Sequence, residues 1–168
     1  MAWLWLGLMV LAGLFLAVSL TGAPYVPSHR RSVVEAFTEL RPLTSSDTLV
    51  DIGSGDGIVC LVAAQQGARV YGYEINPLLV LIARLRLRRY CTQATVLCRN
   101  LWQVDFPAGT SVVYTFGTSH HIGRMYAKVQ QQAARLGHPI DLVSYGFAVP
   151  GVPPVARHGA HVLYHVAP

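Results

Sequence analysis

Acidic residues are scarce in this chain. Its 168 residues include 8 Asp and Glu against 13 Lys and Arg, which gives a formal net charge of +5 at pH 7. A basic balance of this kind can indicate a nucleic-acid-binding protein. Many of the arginines, however, lie just after an apolar N-terminal segment or on one predicted helix. We therefore expect no nucleic-acid partner.

Metal-ligating patterns are also absent. The three cysteines, Cys60, Cys91 and Cys98, do not have the spacing of a zinc site, and we expect them to be reduced and buried. His161 and His165 share one face of a predicted strand with no Cys or Asp beside them. The sequence therefore predicts no metal site.

Charge is missing altogether from Ala2 to Ala23. As a helix this segment would be about 33 Å long, enough to cross a hydrocarbon core. A cleaved signal peptide is the alternative, but a basic n-region is lacking and Pro24 follows the small residues. We predict a transmembrane anchor over 1–23, a single domain over 24–168, and, from the basic residues just past the anchor, a cytoplasmic domain.

A glycine-rich turn is the strongest positive signal. The apolar stretch that ends at Asp51 runs into Gly53-Ser54-Gly55-Asp56-Gly57. Glycines let a backbone turn sharply and approach a ligand closely. The spacing G-x-G-x-G differs from the dinucleotide pattern, and the two acids would repel a pyrophosphate but attract a sulfonium and an ammonium. The turn therefore favours S-adenosylmethionine as cofactor.

A second apolar strand, 69–73, leads to Glu74, about twenty residues after the turn. A carboxylate at this place can accept hydrogen bonds from the ribose hydroxyls of a bound nucleoside. Strand, turn and acid together favour a methyltransferase over the alternative of a βα turn in a ligand-free α/β protein.

Apolar strands alternate with amphipathic helices along the rest of the chain, which predicts an α/β fold with a parallel sheet covered on both faces. A first helix follows Ser28 as its cap and has apolar positions from Val33 to Leu40. The other predicted helices are 57–66, 77–90 and about 122–136; the strands are 48–52, 69–73, 94–98, 112–116, 140–147 and about 160–166.

Four motifs connect the chain to a known family: Pro24-Tyr25-Val26-Pro27 after the apolar segment, Val50 to Gly57, Gly72 to Pro77, and Asn100 to Asp105. Together they resemble the single-span seven-β-strand protein lysine methyltransferases, which include the mitochondrial enzymes acting on the ATP synthase c-subunit and the adenine nucleotide translocase. The resemblance implies a Rossmann-like class I fold with an N-terminal transmembrane helix, and S-adenosylmethionine as cofactor.

The resemblance also implies roles for residues. Glu74 is expected on the ribose and Asn100-Leu101-Trp102 near the adenine. The full set of predicted cofactor-binding residues is Asp51, Gly53, Ser54, Gly55, Asp56, Gly57, Glu74, Ile75, Asn100 and Leu101.

The acceptor side is less well defined. Phe116-Gly117-Thr118-Ser119 departs from the family pattern, close to Phe-Gly-Val-Pro, at the edge where a methyl acceptor should enter. Tyr25 and Tyr114 are the predicted catalytic residues, and His120 or His121 could touch the acceptor. We predict a lysine on a membrane protein as the acceptor. A lipid or quinone-like amphiphile, and a non-catalytic module that binds S-adenosylmethionine, stay open as alternatives.

Overall fold

The computed structural model describes residues 1, 3–7, 9, 13, 29–117 and 119–168. The remaining residues of the predicted anchor, the segment 24–28 and Thr118 lie outside that set. Among the residues described, no helix is both long and apolar enough to cross a membrane.

Seven strands form one sheet in the order β3-β2-β1-β4-β5-β7-β6. Their bounds are β1 Thr48–Ile52, β2 Arg69–Glu74, β3 Ala94–Cys98, β4 Thr110–Phe116, β5 Ile140–Tyr145, β6 Ala156–His158 and β7 His161–Val166. The helices are α1 Arg30–Glu35, continued as a π-helix over Ala36–Leu40, then α2 Ile58–Gln65, α3 Pro77–Arg86 and α4 Ile122–Leu136. Two 3₁₀ turns cover Arg88–Tyr90 and Leu101–Gln103.

The first five strands are parallel, as predicted, but β7 runs antiparallel between β5 and β6. The sheet is therefore mixed, and the expectation of a parallel sheet is wrong for its last two strands. The short β6 lies in the segment that we predicted as a Pro-rich loop. Three residues at a sheet edge carry too little periodic pattern to be recognised from sequence.

Local sequence explains where the elements begin and end. Asn76 caps α3, since its side chain accepts a hydrogen bond from Leu78 N at 3.0 Å, and Pro77 occupies the first helical position. Gly137 ends α4 with a φ of 75°, in the left-handed region that favours glycine. The predicted helix 77–90 is shorter than expected, because regular α-helix stops at Arg86 before the 3₁₀ turn.

Two apolar clusters hold the layers together, one on each face of the sheet. One packs α1, α2 and α3 against the sheet around Phe37, Cys60 and Val80. The other packs α4 through Val129 and Ala133. Cys60 is buried as expected, whereas Cys91 and Cys98 are exposed, which corrects the prediction for those two thiols.

The order in which strands are added to the sheet reverses at β1: β2 and β3 lie on one side of it, and β4 and the later strands lie on the other. In open α/β sheets ligands bind outside the carboxyl ends of the strands at this switch point. Asp51 and the glycine turn lie there.

Candidate cofactor site

The glycine turn is tied to the end of the neighbouring strand. The backbone N–H groups of Gly53 and Ser54 both donate to the carbonyl oxygen of Tyr73, at 2.9 and 3.1 Å. Gly53, Gly55 and Gly57 have φ values of 75°, 52° and 79°. L-residues with side chains rarely adopt these values, so the sequence of glycines is what allows the turn.

Two of these glycines serve different purposes. A Cβ added at Gly57 would lie 2.8 Å from Ala83 Cβ on α3, so this glycine permits two helices to pack closely. A Cβ added at Gly53 would meet nothing within 4 Å. Gly53 therefore leaves open space at the carboxyl end of β1, where a ligand can approach the backbone.

Glu74 is held by backbone amides. One carboxylate oxygen accepts from Gly55 N at 2.9 Å, and the other accepts from Ile75 N and Asn76 N at 2.8 Å each. A carboxylate has about four acceptor positions. Glu74 thus links the glycine turn to the end of β2 and retains roughly one position for a ligand hydroxyl, fewer than the sequence suggested.

Asp51 is buried at the end of β1, with 2% of its surface exposed. Burial raises its pKa to about 7, and the nearby charges of Glu74 and Asp56 act in the same direction. The Cys60 thiol donates to the Asp51 carboxylate at 3.3 Å, which lowers the pKa. Within the described part of the chain, Asp51 forms no ion pair.

Asp56 is arranged differently from the other two acids. Arg86 lies 2.5 Å from its carboxylate, and its other oxygen accepts from Ile58 N at 3.3 Å. Its charge is therefore compensated by the protein. Asp51 and Glu74 lack a cationic side-chain partner among the residues that the structure describes, so the negative charge at this edge is concentrated on them.

The predicted adenine end lies where β2 and β3 finish. Asn100 uses its side-chain oxygen to accept from Trp102 N at 3.1 Å, which leaves its NH₂ group for a ligand. Ile75 is an exposed apolar side chain, and Leu101 is half-buried. From α4, the Arg124 guanidinium lies over the Trp102 ring, 3.9 Å from its centroid.

These features fit S-adenosylmethionine. Open space over Gly53 admits the ligand, and the uncompensated carboxylates of Asp51 and Glu74 suit its cationic groups. Apolar Ile75 suits a planar base. In addition, the Ser54 hydroxyl oxygen is buried without a hydrogen-bond partner in the described structure. An unpartnered buried hydroxyl is unusual and marks the turn as a place where a polar ligand or water completes the bonding.

Of the two predicted catalytic residues, Tyr25 and Tyr114, the structure describes only Tyr114. Tyr25 lies outside the described residues. Tyr114 is 1% exposed, and its hydroxyl is 3.1 Å from His161 Nε2. Burial lowers the pKa of His161 to about 4, so this histidine is neutral at pH 7. Tyr114 and His161 form part of the packed layer beneath α1, together with Phe37.

A pair of half-buried aromatic rings lies closer to the edge. Phe116 ends β4 and Tyr145 ends β5, with ring centroids 5.0 Å apart. Because β4 and β5 are parallel neighbours, their carboxyl ends meet at the edge where an acceptor should enter. The sequence pointed to Phe116 at this edge but not to Tyr145. Its position near the carboxyl end of the predicted strand 140–147, beside the end of 112–116, was the signal that could have identified it.

No group of three or more metal-ligating side chains occurs among the described residues. His120 and His121 lie in the turn before α4, where both are exposed. The Ser119 hydroxyl is 3.2 Å from His120 Nδ1.

The strand order, the switch point at β1 and the glycine turn define a Rossmann-like methyltransferase fold. The chain belongs to the ANTKMT methyltransferase domain family, whose sequence profile matches residues 51–156.

Two kinds of curated relative illustrate the membership. The chain is 36% identical over 118 residues to the ATP synthase c-subunit lysine N-methyltransferase of Xenopus laevis, which covers 67% of this chain and 51% of the relative. It is 42% identical over 85 residues to the adenine nucleotide translocase lysine N-methyltransferase of Mus musculus, covering 49% of this chain and 36% of that protein. The chain thus spans about half the length of the first of these relatives.

Solved structures agree on the fold. A crystal structure of an RNA methyltransferase from Salinibacter ruber, in complex with S-adenosyl-L-homocysteine, matches with a TM-score of 0.75 and 25% identity. The match covers 84% of this chain and 94% of that one. A geranyl diphosphate methyltransferase in complex with S-adenosylmethionine matches with a TM-score of 0.56 over 68% of this chain, at 19% identity.

Proposed function

We propose that this protein is an S-adenosylmethionine-dependent protein-lysine N-methyltransferase that acts on a membrane protein. The observation that carries the proposal is the carboxyl end of β1 and β2. There the buried carboxylates of Asp51 and Glu74 have no cationic side-chain partner among the described residues, and Gly53, two residues after Asp51, faces open space. The acceptor class is supported by the family and by the relatives named for lysine methylation of the ATP synthase c-subunit and of the translocase.

When bound, S-adenosylmethionine supplies the methyl group. In our proposal the residues from Asp51 to Gly57 hold its amino-acid portion, with Gly53 and Gly55 giving close backbone approach. Glu74 accepts from a ribose hydroxyl, while Ile75, Asn100 and Leu101 border the base. The protein contributes mainly by positioning the acceptor in line with the methyl group and by electrostatics.

A lysine acceptor must lose its proton before it can attack. At pH 7 the neutral amine costs about 4.6 kcal/mol relative to the ammonium ion. We propose that Phe116 and Tyr145 border the acceptor channel, because apolar rings desolvate the ammonium and so lower its pKa. We propose Tyr25 as the catalytic residue at the acceptor. Tyr114, which is buried with its hydroxyl on His161, would act as a positioning residue in the layer beneath the channel.

We further propose that residues 1–23 anchor the protein in a membrane and that the catalytic domain is cytoplasmic. The uncharged stretch from Ala2 to Ala23 and the basic residues His29, Arg30 and Arg31 after it support this arrangement. An anchored domain would meet membrane-protein acceptors at high local concentration.

The test is transfer of labelled methyl from S-adenosylmethionine to isolated host membranes, with protein, lipid and RNA separated before counting. We expect label in protein as methyl-lysine, its loss with Glu74→Gln, and its retention with the matched control Glu39→Gln, which changes an exposed glutamate on the π-helix. Label found only in lipid would mean that the methyl acceptor is an amphiphile and not a protein. Cofactor binding without any transfer would establish a non-catalytic module.

RNA is the second candidate acceptor. It is favoured by the likeness to the Salinibacter RNA methyltransferase, which extends over most of both chains. Label in the RNA fraction that disappears with Glu74→Gln would support this candidate and contradict the lysine proposal.

A further inference from the structure

Helix α3 is apolar on its outer side as well as on its inner side. Leu79, Val80 and Ala83 are buried against the sheet. The opposite side, which we call the α3 outer face, consists of Leu78, Leu81, Ile82 and Leu85. Leu81, Ile82 and Leu85 are 54%, 38% and 61% exposed. Apart from Arg84 and Arg86 in its last turn, α3 is apolar on both sides. A helix with two apolar sides is normally covered on both, and an exposed apolar patch of this kind marks an interaction surface.

Positive charge borders this face. Arg88 and Arg89 lie in the 3₁₀ turn that follows α3 after Leu87, and both are exposed. Arg99 is exposed at the end of β3, the strand that α3 packs on. Residues 75–104 contain no Asp or Glu; their charged residues are Arg84, Arg86, Arg88, Arg89 and Arg99.

Two of these arginines are already engaged. Arg84 donates to the Val96 carbonyl oxygen at 2.9 Å, and Arg86 binds Asp56. Arg88 and Arg89 have no ion pair within the part of the chain that the structure describes. Their charge is therefore available for a partner outside this domain.

We propose that the α3 outer face docks on an anionic membrane surface, with Leu81, Ile82 and Leu85 inserted at the acyl boundary and Arg88 and Arg89 on lipid headgroups. Apolar side chains flanked by arginines and free of acids match the chemistry of such a surface. A second copy of the chain would bring like charges together, and the uncharged segment Ala2 to Ala23 would leave the arginines unmatched.

The docking would also orient the cofactor site. Because α3 begins at Pro77, three residues after Glu74, its N-terminal end lies at the carboxyl edge of the sheet. With α3 flat on the membrane, that edge would open parallel to the surface, beside side chains that emerge from the bilayer. This contact goes beyond an N-terminal anchor, because it fixes the orientation of the domain.

The test measures lipid contact at two positions of the full chain. Leu85→Cys and Val155→Cys are each labelled with a fluorophore in a background of Cys91→Ser and Cys98→Ser. The two native side chains are matched in exposure, at 61% and 64%, but Val155 adjoins β6 at the opposite edge of the sheet. Vesicles contain quencher-bearing lipids, either in phosphatidylcholine alone or with one part in five of phosphatidylserine.

We expect strong quenching at position 85 only, and only with phosphatidylserine. Arg88→Glu with Arg89→Glu should weaken this quenching about tenfold or more. The charge-matched control, Lys128→Glu with Arg157→Glu, should leave it unchanged. Circular dichroism checks that each variant is folded.

Several results would overturn the docking proposal. Equal quenching at positions 85 and 155 would do so, as would quenching at position 85 that is independent of phosphatidylserine. So would vesicle-bound protein in which position 85 is not quenched. Burial of the position 85 fluorophore without lipid would instead assign the face to a second copy or another protein segment. Cofactor binding in detergent tests the proposed methyltransferase function separately, so the two proposals can fail independently.

Discussion

The two ends of the central sheet handle buried charge in opposite ways. At the amino end, Arg41 lies between two carboxylates, 2.8 Å from Asp47 and 2.6 Å from Asp141. Ser111 donates to Asp47 at 2.8 Å, and His165 lies 2.8 Å from Asp141. At the carboxyl end, Asp51 and Glu74 have no cationic side chain beside them in the described structure.

The pKa shifts follow this difference. Burial alone would raise the pKa of Asp47, but hydrogen bonds from Arg41, Ser111 and Thr44 lower it below its ordinary value. Burial raises the pKa of Asp51 to about 7. The amino end is thus arranged for stability, and the carboxyl end keeps negative charge in a form that a cationic ligand can neutralise.

The largest expected effect is at the amino end. Arg41→Met leaves two buried or partly buried carboxylates without their cation, and should lower the free energy of unfolding by about 3 kcal/mol. Urea unfolding measures this loss. S-adenosylmethionine affinity at a temperature where the variant is folded should not change. A large loss of affinity would show that the two ends are not separate.

Gly57 and Gly53 separate helix packing from ligand binding within the carboxyl end of the sheet. Gly57→Ala clashes with Ala83 and requires a strained φ, so it should cost about 2 to 3 kcal/mol of stability. Gly53→Ala meets no neighbour and should cost about 1 kcal/mol from φ strain.

Cofactor binding should show the reverse order for these glycines. Per unit of stability lost, Gly53→Ala should reduce affinity far more, because its methyl group enters the space left for the ligand. Calorimetric titration gives the loss of binding free energy and urea unfolding gives the loss of stability. The quantity compared is the first divided by the second, for each variant. Equal ratios would mean that the space over Gly53 does not receive the cofactor.

Glu74→Gln tests the charge at the end of β2. Loss of a charge-assisted acceptor should weaken S-adenosylmethionine binding by about 2 kcal/mol, roughly thirtyfold. Glu39→Gln is the matched control and should bind like wild type. Unchanged affinity in both variants would remove Glu74 from the site.

The smallest effect concerns pH. Because the Asp51 pKa in the folded state, about 7, exceeds its unfolded value, Asp51 contributes stability at low pH that is lost as pH rises to about 7. Asp47 has the opposite sign: its contribution is present above its ordinary pKa and is lost as pH falls into the acid range.

Binding of a cation favours ionised Asp51. Affinity for S-adenosylmethionine should therefore rise about tenfold between pH 6 and pH 8, and level off above that. Asp51→Asn should abolish this pH dependence. A wild-type affinity that is flat over the same range would place the cation away from Asp51.

Local chemistry made much of the fold predictable. The start of α3 at residue 77, the end of α4 at residue 136 and the strands β1, β2 and β3 follow from apolar period and turn residues, and the structure has them where the sequence indicated. The sequence predicted β7 as a strand but not its antiparallel direction, because strand direction depends on pairing between distant segments rather than on local pattern. The short β6 was not predicted.

The candidate site was predictable in its membership but not in its bonding. The sequence identified Glu74 but could not show that three backbone amides occupy most of its carboxylate. Nor could it show that Asp56 pairs with Arg86, thirty residues further along the chain. Those contacts arise from packing of the turn against β2 and α3.

The most direct test of the division between the two ends is amide hydrogen exchange of the full chain with and without S-adenosylmethionine. We predict that cofactor slows exchange at residues 53–57 and 74–76, at the carboxyl end. The amides of 41–47, at the amino end, should be unchanged. Protection at the amino end, or none in the glycine turn at saturating cofactor, would contradict the assignment of the carboxyl end as the cofactor site.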